Sequence, residues 1–278
     1  MKVMMIFKSL WENKISRVGI IIMSFFIIIA IFGPIIFEPP KSNYFNRLQP
    51  PSFKHWLGTD YAGKDTLIQL ILGARGVLLV AVYTAIFAII FACVIGIIAG
   101  LAGGFIDTAL MLITNIIITI PSFPVMMILS MTININNAIS FGLVLSLWSW
   151  AEVAKSIRVQ VLSLKQKEFI EANKFMCINK NYIVVHDILP NLISYISVNF
   201  IVIMKNAMLS SVGLMYLGLV PFDGNHWGMM IYIAISQTGA LLGGGSIIYF
   251  LAPVTSMILF QLGAYLIAIG IEEGTLRS

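Results

Sequence analysis

Val18 to Phe37 is a run of 20 residues interrupted by nothing more polar than Ser24. As a helix rising 1.5 Å per residue it is long enough to cross a hydrocarbon core of about 30 Å. Five more apolar runs follow: Val77 to Leu101, Ile106 to Thr132, Ala138 to Ala154, Leu192 to Leu219 and Ile247 to Ile271. Segments of this kind have lipid as their solvent and must satisfy their own backbone groups, which a helix does. Only 10% of the chain is charged and 59% is hydrophobic, with a mean hydropathy of +0.96; a soluble domain carries roughly 25% charged residues. The expected fold is an all-α integral membrane protein with six transmembrane helices. The first run is too long for a signal-peptide core and no small-residue cleavage site follows it, so it reads as a retained span.

Six spans put both ends on one side. That side carries Lys2, Lys8, Lys14, Arg17, Lys155, Arg158, Lys165, Lys167, Lys174, Lys180 and Arg277, eleven in all; the other carries five, Lys41, Arg47, Lys54, Lys64 and Arg75. The positive-inside tendency therefore puts both termini in the cytoplasm. Lys205 is the one basic residue deep in a span. It is a candidate for a cavity-lining role, with a lysine reaching water at a helix bend as the plain alternative. Pro121 and Pro124 interrupt the third span, where proline bends a helix and frees carbonyls. Gly96 and Gly100 make a small-xxx-small pattern that lets a neighbouring helix approach closely. The interval from Val220 to Gly245 is expected to hold a short re-entrant or surface helix.

Catalytic chemistry is not indicated. The net charge of +5 is dispersed between apolar runs and is no nucleic-acid footprint. Cys93 and Cys177 form no CxxC pair, and His55, His186 and His226 lack ligand spacing, so neither a disulfide framework nor a metal site is expected. Gly63-Lys64-Asp65 lacks the spacing and the hydroxyl of a phosphate-binding loop, and no GxSxG turn occurs.

The long polar interval of the second half, Glu168 to Pro190, opens as an amphipathic helix. Phe169, Ala172 and Met176 fall on one face with Ile170 and Phe175 on its flank; Lys167, Glu171 and Lys174 cover the other side. Pro190 is expected to stop one helix and begin the next. In the polar stretch from Glu38 to Thr66, Gly58 and Gly63 allow tight turns and Thr59 or Asp60 is placed to cap a short helix.

These two stretches carry a resemblance. Glu171-Ala172-Asn173, then Cys177, then Ile188-Leu189-Pro190 is similar to the E-A-A loop of ATP-binding-cassette importer permeases, with Asn173 for the second alanine and Cys177 for a glycine. Leu57-Gly58-Thr59-Asp60 followed by Gly63-Lys64-Asp65 resembles the LGTDxxGRD segment of dipeptide, oligopeptide and nickel permeases, with Lys64 for arginine. Leu214 to Leu219 and His226-Trp227-Gly228 resemble a third stretch of that family, in which a glutamate would fall on Ser211.

The resemblance covers the whole chain and implies the type I importer permease fold of the second, shorter permease type. Its organisation would be a cytoplasmic segment 1–17, a first span 18–37 and an extracytoplasmic loop 38–75. A five-helix permease core 76–271 would follow, with a cytoplasmic coupling loop 155–190, and then a tail 272–278. Phe169, Glu171, Ala172, Asn173, Met176, Cys177, Leu189 and Pro190 would couple to ATPases. The implied partners are a second permease, two ATPase subunits, an extracytoplasmic binding protein and the bilayer. The chain itself would bind no cofactor, with ATP and Mg on the ATPase subunits. The implied cargo is di- or oligopeptides, with nickel or metal chelates and oligosaccharides as alternatives. A membrane scaffold or assembly protein is the competing class.

Overall fold

The computed structural model describes residues 11, 13–176, 178–220, 225–238 and 247–276, the side chains of 171, 174, 180, 275 and 276 excepted. Among these residues the chain is helical: α1 Lys14–Ile36, α2 Thr66–Ala102, α3 Gly104–Thr119, α4 Ser122–Thr132, α5 Ala138–Ser149 and α6 Ala151–Lys165. Then come α7 Glu168–Phe175, α8 Lys180–Ile183, α9 Leu189–Tyr216, α10 Trp227–Ser236 and α11 Ile247–Leu276.

The hub is α2. Its Ala74, Ala81, Ala85, Ala88, Ala92 and Ala99 are fully buried, and α1, α5, α6 and α9 pack around it. Small side chains recurring at three- and four-residue spacing let four neighbours come close to one helix. The expected glycine pattern takes part. A Cβ on Gly96 would sit 2.6 Å from the Ala154 carbonyl oxygen, and one on Gly100 2.7 Å from Val161 Cγ1. Both glycines therefore mark where α6 crosses. Gly96→Val forces these backbones apart and is expected to cost about 1–3 kcal/mol, read as a lowered unfolding midpoint in detergent.

Four helices are long and apolar enough to cross a bilayer: α1, α2, the continuous stretch Asn181–Tyr216 and α11. The pair α3 and α4 is long and apolar enough only when taken together, and is bent by 88° at the break before Ser122, as a broken span or a re-entrant loop is; Pro121 was expected to interrupt it there. The fourth predicted run is divided. Its helix α5 has only 12 residues and gives way at Trp150 to α6. Ser146 and Ser149 hydroxyls donate to the Leu143 and Leu145 carbonyls just before the break, a back-bonding that bends helices. Trp150 keeps right-handed helical dihedrals (φ −81°, ψ −26°), so α6 follows α5 with little interruption. This pair stands in the chain where the remaining predicted span lies.

The ends of the bundle are tied. Asn13 Nδ2 donates to Glu273 Oε2 at 2.8 Å, joining the start of α1 to the end of α11. Arg158 grips Asp107 with both Nε and a terminal nitrogen, and Lys165 Nζ donates to the Leu101 carbonyl at 3.0 Å. These contacts fasten α6 to the turn between α2 and α3. Both side chains of the Arg158–Asp107 pair retain some solvent contact, so Arg158→Ala is expected to cost about 1 kcal/mol, with the same loss from Asp107→Ala and little more from the double variant.

Helix α10 is not a surface helix. Trp227, Met230 and Ala234 are fully buried against α9 and α11, and Trp227 Nε1 donates to the Leu70 carbonyl at 2.9 Å. Phe26 of α1 meets Trp227 and Phe260 edge to face at 5.8 and 5.7 Å, so aromatic packing joins α1, α10 and α11. Ser211 is also buried, and its hydroxyl is spent on the Met208 carbonyl of its own helix.

Candidate functional site

Three regions concentrate what the fold leaves for function. The first is α7 with the chain that leads from it. Ile170 is 1% exposed and pins the helix to the body, beside Ile97, Leu101 and Ile183. The opposite side is exposed: Phe169 is 42% exposed, Met176 65% and Phe175 87%, with Ala172 exposed between them. The sequence placed Ile170 and Phe175 together on the flank of the apolar face. The structure separates them, Ile170 inward as the anchor and Phe175 outward as part of the patch. Asn173 Nδ2 donates to Asp187 Oδ2 at 2.8 Å, which fixes α7 against the chain returning to α9. Glu171 lies on α7, its side chain outside the described set, and Cys177 lies outside the described residues.

Pro190 does not stop a helix. It stands in the first turn of α9, and the chain before it widens into a π turn at Val184–Ile188, closed by Leu189 N–H donating to the Val184 carbonyl. Proline has no N–H for the carbonyl four residues back and its ring crowds that carbonyl; one wider turn relieves both, so the helix passes through. The side-chain amide of Asn191 donates to the Asp187 carbonyl at 2.6 Å. Leu189 and Pro190 are half-buried.

The second region is the stretch Leu57 to Asp65, which the structure gathers into one hydrogen-bonded knot. Asp60 is 1% exposed. Its Oδ1 accepts from the Ala62 and Lys64 amides at 2.8 Å each, and its Oδ2 from Gln69 Nε2 at 3.1 Å. Gln69 Oε1 in turn accepts from the Tyr249 hydroxyl of α11 at 3.3 Å. The Thr59 hydroxyl donates to the Asn46 carbonyl and accepts from the Gln49 amide. Neither Thr59 nor Asp60 caps a helix. Asp65 does, accepting from Ile68 N–H at 3.0 Å, so α2 begins at Thr66, well before its apolar run. The other Asp65 oxygen holds His55 Nδ1 at 2.8 Å. Gly58 and Gly63 have φ of 73° and 72°, the left-handed turns expected of them. Lys64 enters this network through its backbone alone, so the loop bonds identically with arginine there. Leu57 is half-buried beneath it.

The third region was not assembled from the sequence. The α3–α4 bend, the α5–α6 junction and α9 enclose a groove of 410 Å³. Its walls are Ile117, Ile118, Ile120, Pro121, Ser122 and Met126, then Trp148, Ser149, Glu152, Val153 and Ser156, then Tyr195, Asn199, Val202, Ile203, Asn206 and Ser210. Asn199, Val202, Ile203, Asn206 and Ser210 repeat at helical spacing and so share a face of α9. Lys205 is half-buried on α9 but is not part of that wall; its neighbour Asn206 is. The signals were present as Pro121 and as a polar stripe in an otherwise apolar run, but which segments meet is a tertiary fact.

Residues 92–271 match the family described as the binding-protein-dependent transport system inner membrane component. The chain belongs to that family. The match begins within α2 and ends within α11, so it takes in the groove and α7. Residues 4–51 of the permease match the N-terminal transmembrane domain of oligopeptide transport permease C. The permease is 31% identical over 233 residues to the oligopeptide transport system permease protein OppC of Bacillus subtilis, covering 80% of this chain and 76% of that one. It is 34% identical over 231 residues to the dipeptide transport system permease protein DppC of Alkalihalophilus pseudofirmus, covering 81% and 75%.

Proposed function

We propose that this permease is one of two membrane subunits enclosing the translocation pathway of an ATP-driven peptide importer. An extracytoplasmic binding protein supplies the peptide and two cytosolic ATPase subunits, which carry ATP and Mg, supply the work. Peptide as cargo is supported by what the similar permeases of Bacillus and Alkalihalophilus are named for transporting. The observation that carries coupling is the exposed patch Phe169, Ala172, Phe175 and Met176 on a helix anchored from behind by Ile170. An apolar surface on a short, pinned helix suits a soluble partner that must stay in contact while the spans move. The excess of lysine and arginine on that side supports a cytoplasmic position for it. The Leu57 to Asp65 knot then faces the binding protein, and the groove is the permease's share of the path.

Cross-linking tests this reading. In a chain carrying Cys93→Ser and Cys177→Ser, Phe169→Cys or Ala172→Cys is expected to cross-link to an ATPase subunit with a short bifunctional reagent. Phe53→Cys, on the opposite side, reacts with a membrane-impermeant maleimide in intact cells, whereas Phe175→Cys reacts only after permeabilisation. An assembled complex with no cross-link from 169 or 172 overturns the coupling assignment; the reverse labelling pattern overturns the orientation.

A further inference from the structure

Among the described residues, Glu152 is the only one in the groove wall with a formal charge. It lies at the α5–α6 junction, two residues past Trp150, with its side chain exposed on the groove wall. Its carboxylate makes no hydrogen bond or ion pair with any described residue. The basic groups on its own helix are engaged elsewhere, Lys155 with Asn115 Oδ1 at 3.1 Å and Arg158 with Asp107. An unpaired charge beside apolar, span-forming helices is costly and is kept where it meets water or a ligand.

Its position in the first turn of α6 suits the helix dipole, but that is met equally well by a charge turned away from the groove. The facing wall is neutral and amide-rich. Asn206 hydrogen-bonds to no described residue, and Asn199 spends one N–H on the Tyr195 carbonyl at 2.9 Å, leaving its other N–H and its oxygen open. Each side-chain amide offers both donor and acceptor, which matches a peptide group of any sequence. Trp148 and Tyr195 add aromatic faces to the lining, which attract cations and not anions.

We infer that Glu152 selects for cationic nitrogen: it holds an ammonium or guanidinium group of the translocating peptide while Asn199 and Asn206 serve its peptide groups. This rests on the reading of the groove as the pathway, and it names what that pathway prefers. The cation is either the free amino terminus or a basic side chain.

The test uses the complete complex in proteoliposomes, with its binding protein saturated by each probe. The probes are trialanine, N-acetyl-trialanine, and N-acetyl-trialanine with its central residue replaced by lysine. Glu152→Gln is expected to lower the ratio of transport of a cationic probe to that of N-acetyl-trialanine about tenfold, the size of one charge-assisted hydrogen bond. Glu152→Asp is expected to recover most of it. Loss confined to trialanine identifies the terminal ammonium as the recognised group, and loss confined to the lysine probe identifies the side chain. A variant that slows all three probes equally, or none, overturns the inference and leaves the peptide reading standing. A native complex that transports no peptide overturns both.

Discussion

A permease carrying Phe169→Asp and Met176→Asp together reaches the membrane folded and assembled with its partner permease, yet its complex loses at least about 30-fold in substrate-stimulated ATP hydrolysis and in transport. The two side chains lie on the exposed side of α7, and surface substitutions of this kind change stability by about ±0.5 kcal/mol. At an interface the effect is larger. Removing an apolar anchor costs about 2 kcal/mol or more, a factor of about 30, and burying a carboxylate in its place adds a desolvation penalty. Ile170→Asp is the informative contrast: Ile170 faces the core, so that variant fails as misfolded protein and not as an assembled, uncoupled complex. Activity within twofold of native in the Phe169/Met176 double variant removes the patch from the coupling path.

Gly63→Ala is expected to prevent the Leu57 to Asp65 knot from closing. A Cβ at this position would lie 1.8 Å from the Asn43 carbonyl oxygen and 2.6 Å from its carbon, and both atoms are backbone. The neighbour cannot turn aside as a side chain would, because the Asn43 amide is itself held by the Ala62 carbonyl at 2.8 Å. The left-handed φ adds about 1–2 kcal/mol for any residue with a Cβ, and the overlap adds about 1–3 kcal/mol more. Gly103→Ala separates the two contributions. Its φ is 65° with ψ −167°, a region essentially reserved for glycine, but nothing lies within 4 Å of its Cβ position, so only a backbone cost of about 1–3 kcal/mol applies. Limited proteolysis of the detergent-solubilised permease is expected to cut Gly63→Ala within residues 43–65 at a dose that leaves Gly103→Ala intact there. Equal resistance means the loop has a second way to fold.

What the sequence disclosed divides along physical lines. Spans announce themselves by transfer free energy, a property of composition, so α1, α2, α9 and α11 fall where the apolar runs lie. Pro121 and the pair Gly96 and Gly100 were legible because each acts through its own covalent structure, a missing N–H or a missing Cβ. Errors arose where a partner decides. Asp60, Asp65 and Thr59 are chemically interchangeable as caps, and only Gln69 and Tyr249, brought in from α2 and α11, assign Asp60 to the loop and leave Asp65 for the helix. Lys205 drew attention by its charge, yet consecutive helical residues point about 100° apart, and it is Asn206 whose face turns to the groove. The reading of Pro190 as a break failed because a π turn absorbs its steric demand, at a cost no pattern of residue types reveals.

The bend before Ser122 also alters the solvent inside the protein. Pro121 has no N–H to return to the Ile117 carbonyl, and the Thr119 hydroxyl is occupied with the Ile116 carbonyl at 2.8 Å. The bend lies beside Ser122, Ser149, Ser156 and Asn206 of the groove wall, and a carbonyl that a proline leaves without its helical N–H partner is stable in a membrane protein only where water or protein satisfies it. On the reading of the groove as a peptide path proposed above, a polar cargo crossing there exchanges one set of hydrogen-bonding partners for another instead of shedding them all into hydrocarbon.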